Sequence, residues 1–164
     1  MDNQKKYFNS NGALPKKRGL NAYYWNEITQ YIGYFAHQDS SVLEIGCGCG
    51  DLLANLPASR KVGIDLSDSN IKYANAKYCE SGISFIHMDA NDIRLTDTFD
   101  LIILSNLIGF VEDIQHVFQQ VRKCCHPNTK IIVQYYNAIW EPLIRFAETI
   151  GLKVRTPLQN WVGI

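Results

Sequence analysis

At 164 residues the chain has the length of one domain, enough to bury roughly two-thirds of its unfolded surface in a single core. Charged residues make up 20% against 46% apolar, a balance that excludes a disordered chain and fits a soluble globular one. Sixteen basic and sixteen acidic side chains cancel, which excludes a global field able to hold a nucleic acid or an acidic membrane.

Residues 1–19 are polar and read as a flexible lead-in; the basic run Lys16-Lys17-Arg18, beside the turn signals Gly12 and Pro15, reads as a solvated segment. No apolar stretch approaches the ~18 residues of a membrane span, so neither a signal peptide nor an anchor is expected and a cytoplasmic location follows. Five cysteines (Cys47, Cys49, Cys79, Cys124 and Cys125) form an odd, irregular set suited to reduced thiols rather than a disulfide framework.

From Leu20 to Ala36, apolar residues Leu20, Tyr24, Ile28, Tyr31, Ile32 and Phe35 recur at spacings of three and four, which predicts an amphipathic helix. Five short apolar runs follow and read as strands: Ser41 to Ile45, Lys61 to Asp65, Ile83 to His87, Phe99 to Ser105 and Lys130 to Tyr136. Helical periodicity lies between or after them at Asp51 to Asn55, Ser69 to Glu80, Ile114 to Cys124 and Ile139 to Ile150. The stretch joining the third and fourth strands reads as loop. This alternation predicts an α/β fold, a Rossmann-like, doubly wound and mainly parallel sheet between two helix layers, in one domain spanning 1–164.

Ligands of such sheets bind outside the carboxyl ends of the strands, so the residues after each strand carry the functional reading. The first strand leads into Val42-Leu43-Glu44-Ile45-Gly46-Cys47-Gly48-Cys49-Gly50-Asp51, an acid inside the strand followed by alternating glycines. Glycine lets the chain turn sharply and lets backbone approach a ligand. A dinucleotide site would need glycine where Asp51 stands, and a carboxylate there opposes a pyrophosphate at the helix start.

The second strand ends Val62-Gly63-Ile64-Asp65-Leu66-Ser67, and an acid 19 residues beyond Gly46 can accept the two ribose hydroxyls of an adenosine. Ser67 is the expected cap of the next helix. After the third strand, Asp89 of Phe85-Ile86-His87-Met88-Asp89-Ala90 can accept from an adenine amino group while the Ala90 N–H meets a ring nitrogen. Leu66 and Met88 can sandwich the base. The fourth strand delivers Ser105 and Asn106 to the same edge.

These stations resemble the class I S-adenosylmethionine-dependent methyltransferases over about Leu20 to Ile150, through V-L-E-I-G-C-G-C-G-D, G-I-D-L-S, H-M-D-A and F-D-L-I-I-L-S-N-L-I-G. The segments Tyr135 to Leu143 and Gln159-Asn160-Trp161 are similar to a narrower group of type 11/12-like domains associated with bacterial glycosyltransferases, implying a sugar- or envelope-linked context. The resemblance implies that Glu44, Gly46, Cys47 and Gly48 contact the methionine portion of the cofactor, Asp65 the ribose, and Leu66, Asp89 and Ala90 the adenine. Ser105 and Asn106 would hold the methionine amine, and Tyr23 or Tyr24 of the leading helix would close over the cofactor.

Methyl transfer from S-adenosylmethionine, leaving S-adenosylhomocysteine, to a small-molecule, sugar or envelope-linked acceptor is the implied activity. The alternative is a binding module without catalysis, or a truncated domain of a larger enzyme. Only 14 residues follow Ile150, too few for the helix and strand hairpin that end the family fold, so that hairpin is expected to be missing and 151–164 to be a shortened C-terminal part. An exposed fifth strand would then favour a homodimer through its edge.

No catalytic residue is assigned. His37, His87, His116 and His126 show no spacing that joins them to a carboxylate, Cys47-x-Cys49 and Cys124-Cys125 lack the paired spacing of zinc sites, and no metal is expected. Tyr136 and Asn137, at the expected end of the fifth strand, can line an acceptor cavity.

Overall fold

The computed structural model describes residues 20–135 and 141–151. Helix α1 spans Leu20–Gly33 and precedes strand β1, Ser41–Ile45. Then come α2 (Asp51–Ala54), β2 (Arg60–Asp65), α3 (Asp68–Lys77), β3 (Ser84–His87), β4 (Phe99–Ser105), a short 3-10 turn at Ile108–Phe110, α4 (Ile114–Arg122), β5 (Cys125–Gln134) and α5 (Glu141–Thr149). Two of the helices start on the side-chain caps their sequences offer. The Asn70 N–H donates to Ser67 Oγ, and the His116 N–H to Asp113 Oδ1.

The strands form one parallel sheet in the order β3-β2-β1-β4-β5. The chain winds outward from β1 through β2 to β3, then crosses to the far side of β1 for β4 and β5. The strand order therefore reverses between β1 and β4, and a crevice opens at their carboxyl ends.

Alternate side chains of the buried strands serve the two faces. Val42, Leu101 and Ile103 pack with Ile32 of α1, Leu52 and Leu53 of α2 and Ile71 of α3. On the opposite face Leu43, Ile102 and Leu104 pack with Val117 and Val121 of α4 and with Ile93 from the loop after β3. Three layers result, as the alternation of strand and helix implies.

The ends of elements depart from the sequence reading where local chemistry intervenes. Helix α1 stops at Gly33, after which the Tyr34 and Phe35 N–H groups bond back to Tyr31 and Ile32 carbonyls. Strand β5 begins at Cys125, because His126-Pro127-Asn128 forms an irregularity inside the strand rather than a turn before it. The His126 N–H donates to Thr129 Oγ1, which in turn donates to the Phe99 carbonyl, so the pairing with β4 survives the proline. The strand closes at Gln134, two residues short of the expected Tyr136. Tyr136, Asn137 and Gln159-Asn160-Trp161, like the expectations placed on 1–19 and 152–164, lie outside the described residues.

Candidate functional site

The turn after β1 is pinned at both ends. The Gly46 and Cys47 N–H groups both donate to the Ile64 carbonyl of β2, at 2.8 and 3.0 Å. Gly46 takes a φ of +81°, and a Cβ there would lie 2.9 Å from the Ser105 carbonyl oxygen, so only glycine lets β1 leave the sheet beside β4. Gly48 is also left-handed, at φ +53°, yet nothing stands within 4 Å of where its Cβ would project. Gly46 thus answers to packing, whereas Gly48 keeps a space open.

Glu44 is 2% exposed, and one of its oxygens accepts from the Ser105 hydroxyl at 2.7 Å. Its other oxygen, Oε2, is buried without a close hydrogen-bond partner, and the Leu53 N–H of α2 faces the carboxyl and favours its charged form in part. Burial pushes the Glu44 carboxyl up to about 8, the Ser105 hydroxyl offsetting part of the rise and the nearby Asp65 charge adding to it. At neutral pH the carboxyl therefore holds its proton in the absence of a cation to face it.

Asp65 joins the β1 turn to β2. Its Oδ2 accepts from the Gly48 N–H at 2.8 Å, and its Oδ1 from the Ser67 N–H at 2.8 Å and Asn70 Nδ2 at 3.3 Å. A carboxylate has about four acceptor positions, so three of them are occupied and room remains for one further donor rather than two. Asp65 is tied to the loop as much as to any ligand, and Ser67, not Asp65, caps α3.

Beyond β3, the Met88 N–H donates to the Asp65 carbonyl at 3.0 Å, bringing Met88, Asp89 and Ala90 against the end of β2. Asp89 Oδ1 accepts from the Asn91 backbone and side chain, at 2.8 and 2.9 Å, which fixes this loop as an aspartate turn. Ala90 is buried, and Met88 and Leu66 are half-buried. His87 is exposed, its Nε2 3.0 Å from the Leu66 carbonyl, where it clips β3 to β2.

On the other side of the crevice Ser105 faces Glu44. Asn106 adopts φ +50°, unusual for a residue with a side chain, and its Oδ1 is a second buried acceptor with no partner. The structure thus gathers the predicted residues of β1, β2, β3 and β4 along one continuous edge, linked by Glu44–Ser105, Gly48–Asp65 and Asp65–Met88 bonds.

Three residues that the sequence singled out have protein partners of their own. The Cys47 thiol is turned into the core on the α1 face, close to Gly63, and its N–H and carbonyl bond to Ile64 and Gly50. Burial pushes that thiol up, away from any nucleophilic role. Tyr24 lies at the β5 end of the edge, where Gln134 Nε2 donates to its hydroxyl at 3.1 Å. Asp51 points to the end of α3, accepting from Lys77 Nζ and the Tyr78 hydroxyl, both at 2.6 Å. That ion pair neutralises the charge, so the case against a pyrophosphate rests on the missing third glycine alone.

Two residues at the edge were not singled out by sequence. Asn70, buried in the first turn of α3, steadies Asp65; an amide five residues past a strand-end acid was the available signal. Gln134 was passed over because β5 was read two residues too long. Among the described residues, no group of three or more histidines, cysteines or acids could hold a metal ion, and no helix is long and apolar enough to cross a membrane.

Comparison with known proteins agrees with this architecture. A profile described as "Methyltransferase domain" matches residues 43–133, more than half of the chain and the stretch from β1 to the end of β5. Malonyl-[acyl-carrier protein] O-methyltransferase of Priestia megaterium is 29% identical over 61% of this chain and 38% of its own length. Ubiquinone biosynthesis O-methyltransferase of Rickettsia canadensis is 26% identical over 74% of this chain and 51% of its own. The chain spans about half or less of these curated relatives.

Among solved structures, a methyltransferase from Haloferax volcanii, determined in complex with the Trm112 methyltransferase activator, superposes with a TM-score of 0.77 at 16% identity, covering 95% of this chain and 70% of that one. The N-methyltransferase NodS from Bradyrhizobium japonicum, solved with S-adenosylhomocysteine, gives 0.67 at 20% identity over 80% and 72% of the two chains. The profile match, laid on a sheet whose order reverses between β1 and β4, places this chain in the class I S-adenosylmethionine-dependent methyltransferase family.

Proposed function

We propose that residues 1–164 form one domain that binds S-adenosylmethionine along the carboxyl edge of the sheet and transfers its methyl group to an oxygen of a small-molecule acceptor. The observation that carries the reading is the buried Glu44 Oε2, an acid oxygen without a close hydrogen-bond partner at the carboxyl end of β1. An acid buried this way stays protonated until a cation meets it. The amine of the cofactor's amino-acid end is such a cation, and Asn106 Oδ1 supplies a second acceptor. Asp65 has one acceptor position for a ribose hydroxyl, while Leu66, Met88, Asp89 and Ala90 bound the place of the base.

When bound, the cofactor supplies an electrophilic methyl carbon already activated by a positive sulfur, so the protein's part is alignment and exclusion of water. Rigid glycine turns and the Glu44–Ser105 bond provide that alignment. The names of the two curated relatives favour oxygen as the atom methylated. Association of two copies through β5, outermost among the described strands, belongs to the same reading and is checked by sedimentation at rising concentration.

Calorimetry with S-adenosylmethionine, S-adenosylhomocysteine and NADH is the test. Binding of the first two and not of NADH is expected; binding of NADH alone would overturn the proposal.

A further inference from the structure

On the face of the sheet that α1 covers, β1, β4 and β5 end in polar side chains: Glu44, Ser105 and Gln134. Ser105 pairs directly with Gln134 in the β4–β5 register, and Ile132, two residues back from Gln134, packs on the same face. Glu44 and Ser105 bond to one another, whereas Gln134 bonds sideways to Tyr24 of α1. The row leaves two buried acceptors without partners, Glu44 Oε2 at one end and Gln134 Oε1 at the other.

One ligand group cannot satisfy both. Strands β1 and β5 are separated by β4, so their axes lie about 10 Å apart at the usual spacing of parallel strands. An amine held by Glu44 leaves Gln134 unanswered. A cofactor whose base lies at β2 and β3 and whose amine lies between β1 and β4 ends where Gln134 begins.

We infer that Gln134 Oε1, with Tyr24 beside it, binds the methyl acceptor by taking a hydrogen bond from an uncharged hydroxyl of that molecule. The inference rests on the cofactor reading given above. A carbonyl oxygen without a partner repels a carboxylate and suits a donor. The lysine of β5, Lys130, lies over the Phe35 ring, so among the described residues no lysine or arginine of the row offsets an anionic acceptor. A phenol or an alcohol is therefore the acceptor class, and a carboxylic acid is not.

The full chain saturated with S-adenosylhomocysteine is titrated by calorimetry with catechol and, separately, with benzoate. Catechol is expected to bind at least tenfold more tightly. Gln134→Leu is expected to weaken catechol at least tenfold and to leave S-adenosylhomocysteine affinity within about twofold. It should also raise the melting temperature by about 2–4 °C, because a buried acceptor without a partner is removed. A merely structural glutamine would show the reverse, a lower melting temperature with catechol affinity unmoved.

Should Gln134→Leu fail to fold, the side-chain amide resonances of Gln134 in the unaltered protein carry the test, shifting on addition of catechol and not of benzoate. Equal affinity for the two probes, no binding of either, or unmoved Gln134 resonances would overturn the inference. Loss of S-adenosylhomocysteine binding by the unaltered protein would instead overturn the cofactor reading.

Discussion

Glu44→Gln replaces a buried acid by its neutral counterpart and makes the electrostatics of the crevice measurable. In the folded protein the carboxyl is raised from 4.5 to about 8 by burial, so the native state keeps its proton over a range in which the unfolded chain gives it up. Stability must then fall as pH rises above 4.5, with the full loss reached above pH 8. Integrating between pH 5 and pH 8 gives a loss of about 3–4 kcal/mol. Glutamine has no proton to hold and is free of this slope.

Urea denaturation of both proteins at unit intervals from pH 5 to pH 8 reads the difference directly, since other titrating groups are common to the two and cancel. The unaltered protein should lose about 3–4 kcal/mol relative to the variant across that range. Parallel stability curves would refute the reasoning, because they would mean that Glu44 ionises as it does in water. Saturating S-adenosylmethionine should flatten the slope, its amine favouring the ionised carboxylate.

Other perturbations separate the parts of the site. Gly46→Ala should destabilise the fold by about 2–4 kcal/mol, since its Cβ meets the Ser105 carbonyl at 2.9 Å on a backbone with φ +81°; thermal melting checks it. Gly48→Ala should cost the fold only about 1 kcal/mol, yet weaken S-adenosylhomocysteine at least tenfold, because its Cβ fills space that is open in the protein alone. Unchanged calorimetric affinity would show that no ligand uses that space. Asp65→Ala removes one charge-assisted bond to the cofactor and should weaken it about 10- to 150-fold, and it should also free the Gly48 N–H, which amide hydrogen exchange detects as lost protection. Ser105→Ala strips Glu44 of its remaining hydroxyl donor and should cost about 1–3 kcal/mol in urea denaturation at pH 6.

The strands were legible because burial on both faces leaves near-continuous apolar runs: β1 and β4 lie where Ser41 to Ile45 and Phe99 to Ser105 place them. Residues at the four strand ends were legible for the same reason, since the topology decides where every strand end goes. Which way each side chain turns was not. Asp51 depends on Lys77 and Tyr78, 26 and 27 residues away, and no local pattern reports such partners. Gln134 was hidden by the proline at 127, which breaks the apolar run and shifts the apparent strand toward the carboxyl side. Cys47 occupies a ligand-like position in sequence, yet the absence of a side chain at Gly63 draws its thiol inward.

The pairing of β1 with β4 has a kinetic consequence. Val42 and Leu101 are register partners about sixty residues apart, whereas β1–β2 and β2–β3 join strands about twenty residues apart. The half built from β1, β2 and β3 can therefore assemble through short loop closures, while Ser105 reaches Glu44 only after the longest closure in the described sheet. Contact order therefore predicts that, within the described sheet, the Glu44–Ser105 bond forms after the β1–β2–β3 half, and that Glu44 keeps the proton affinity of an exposed acid until β4 docks.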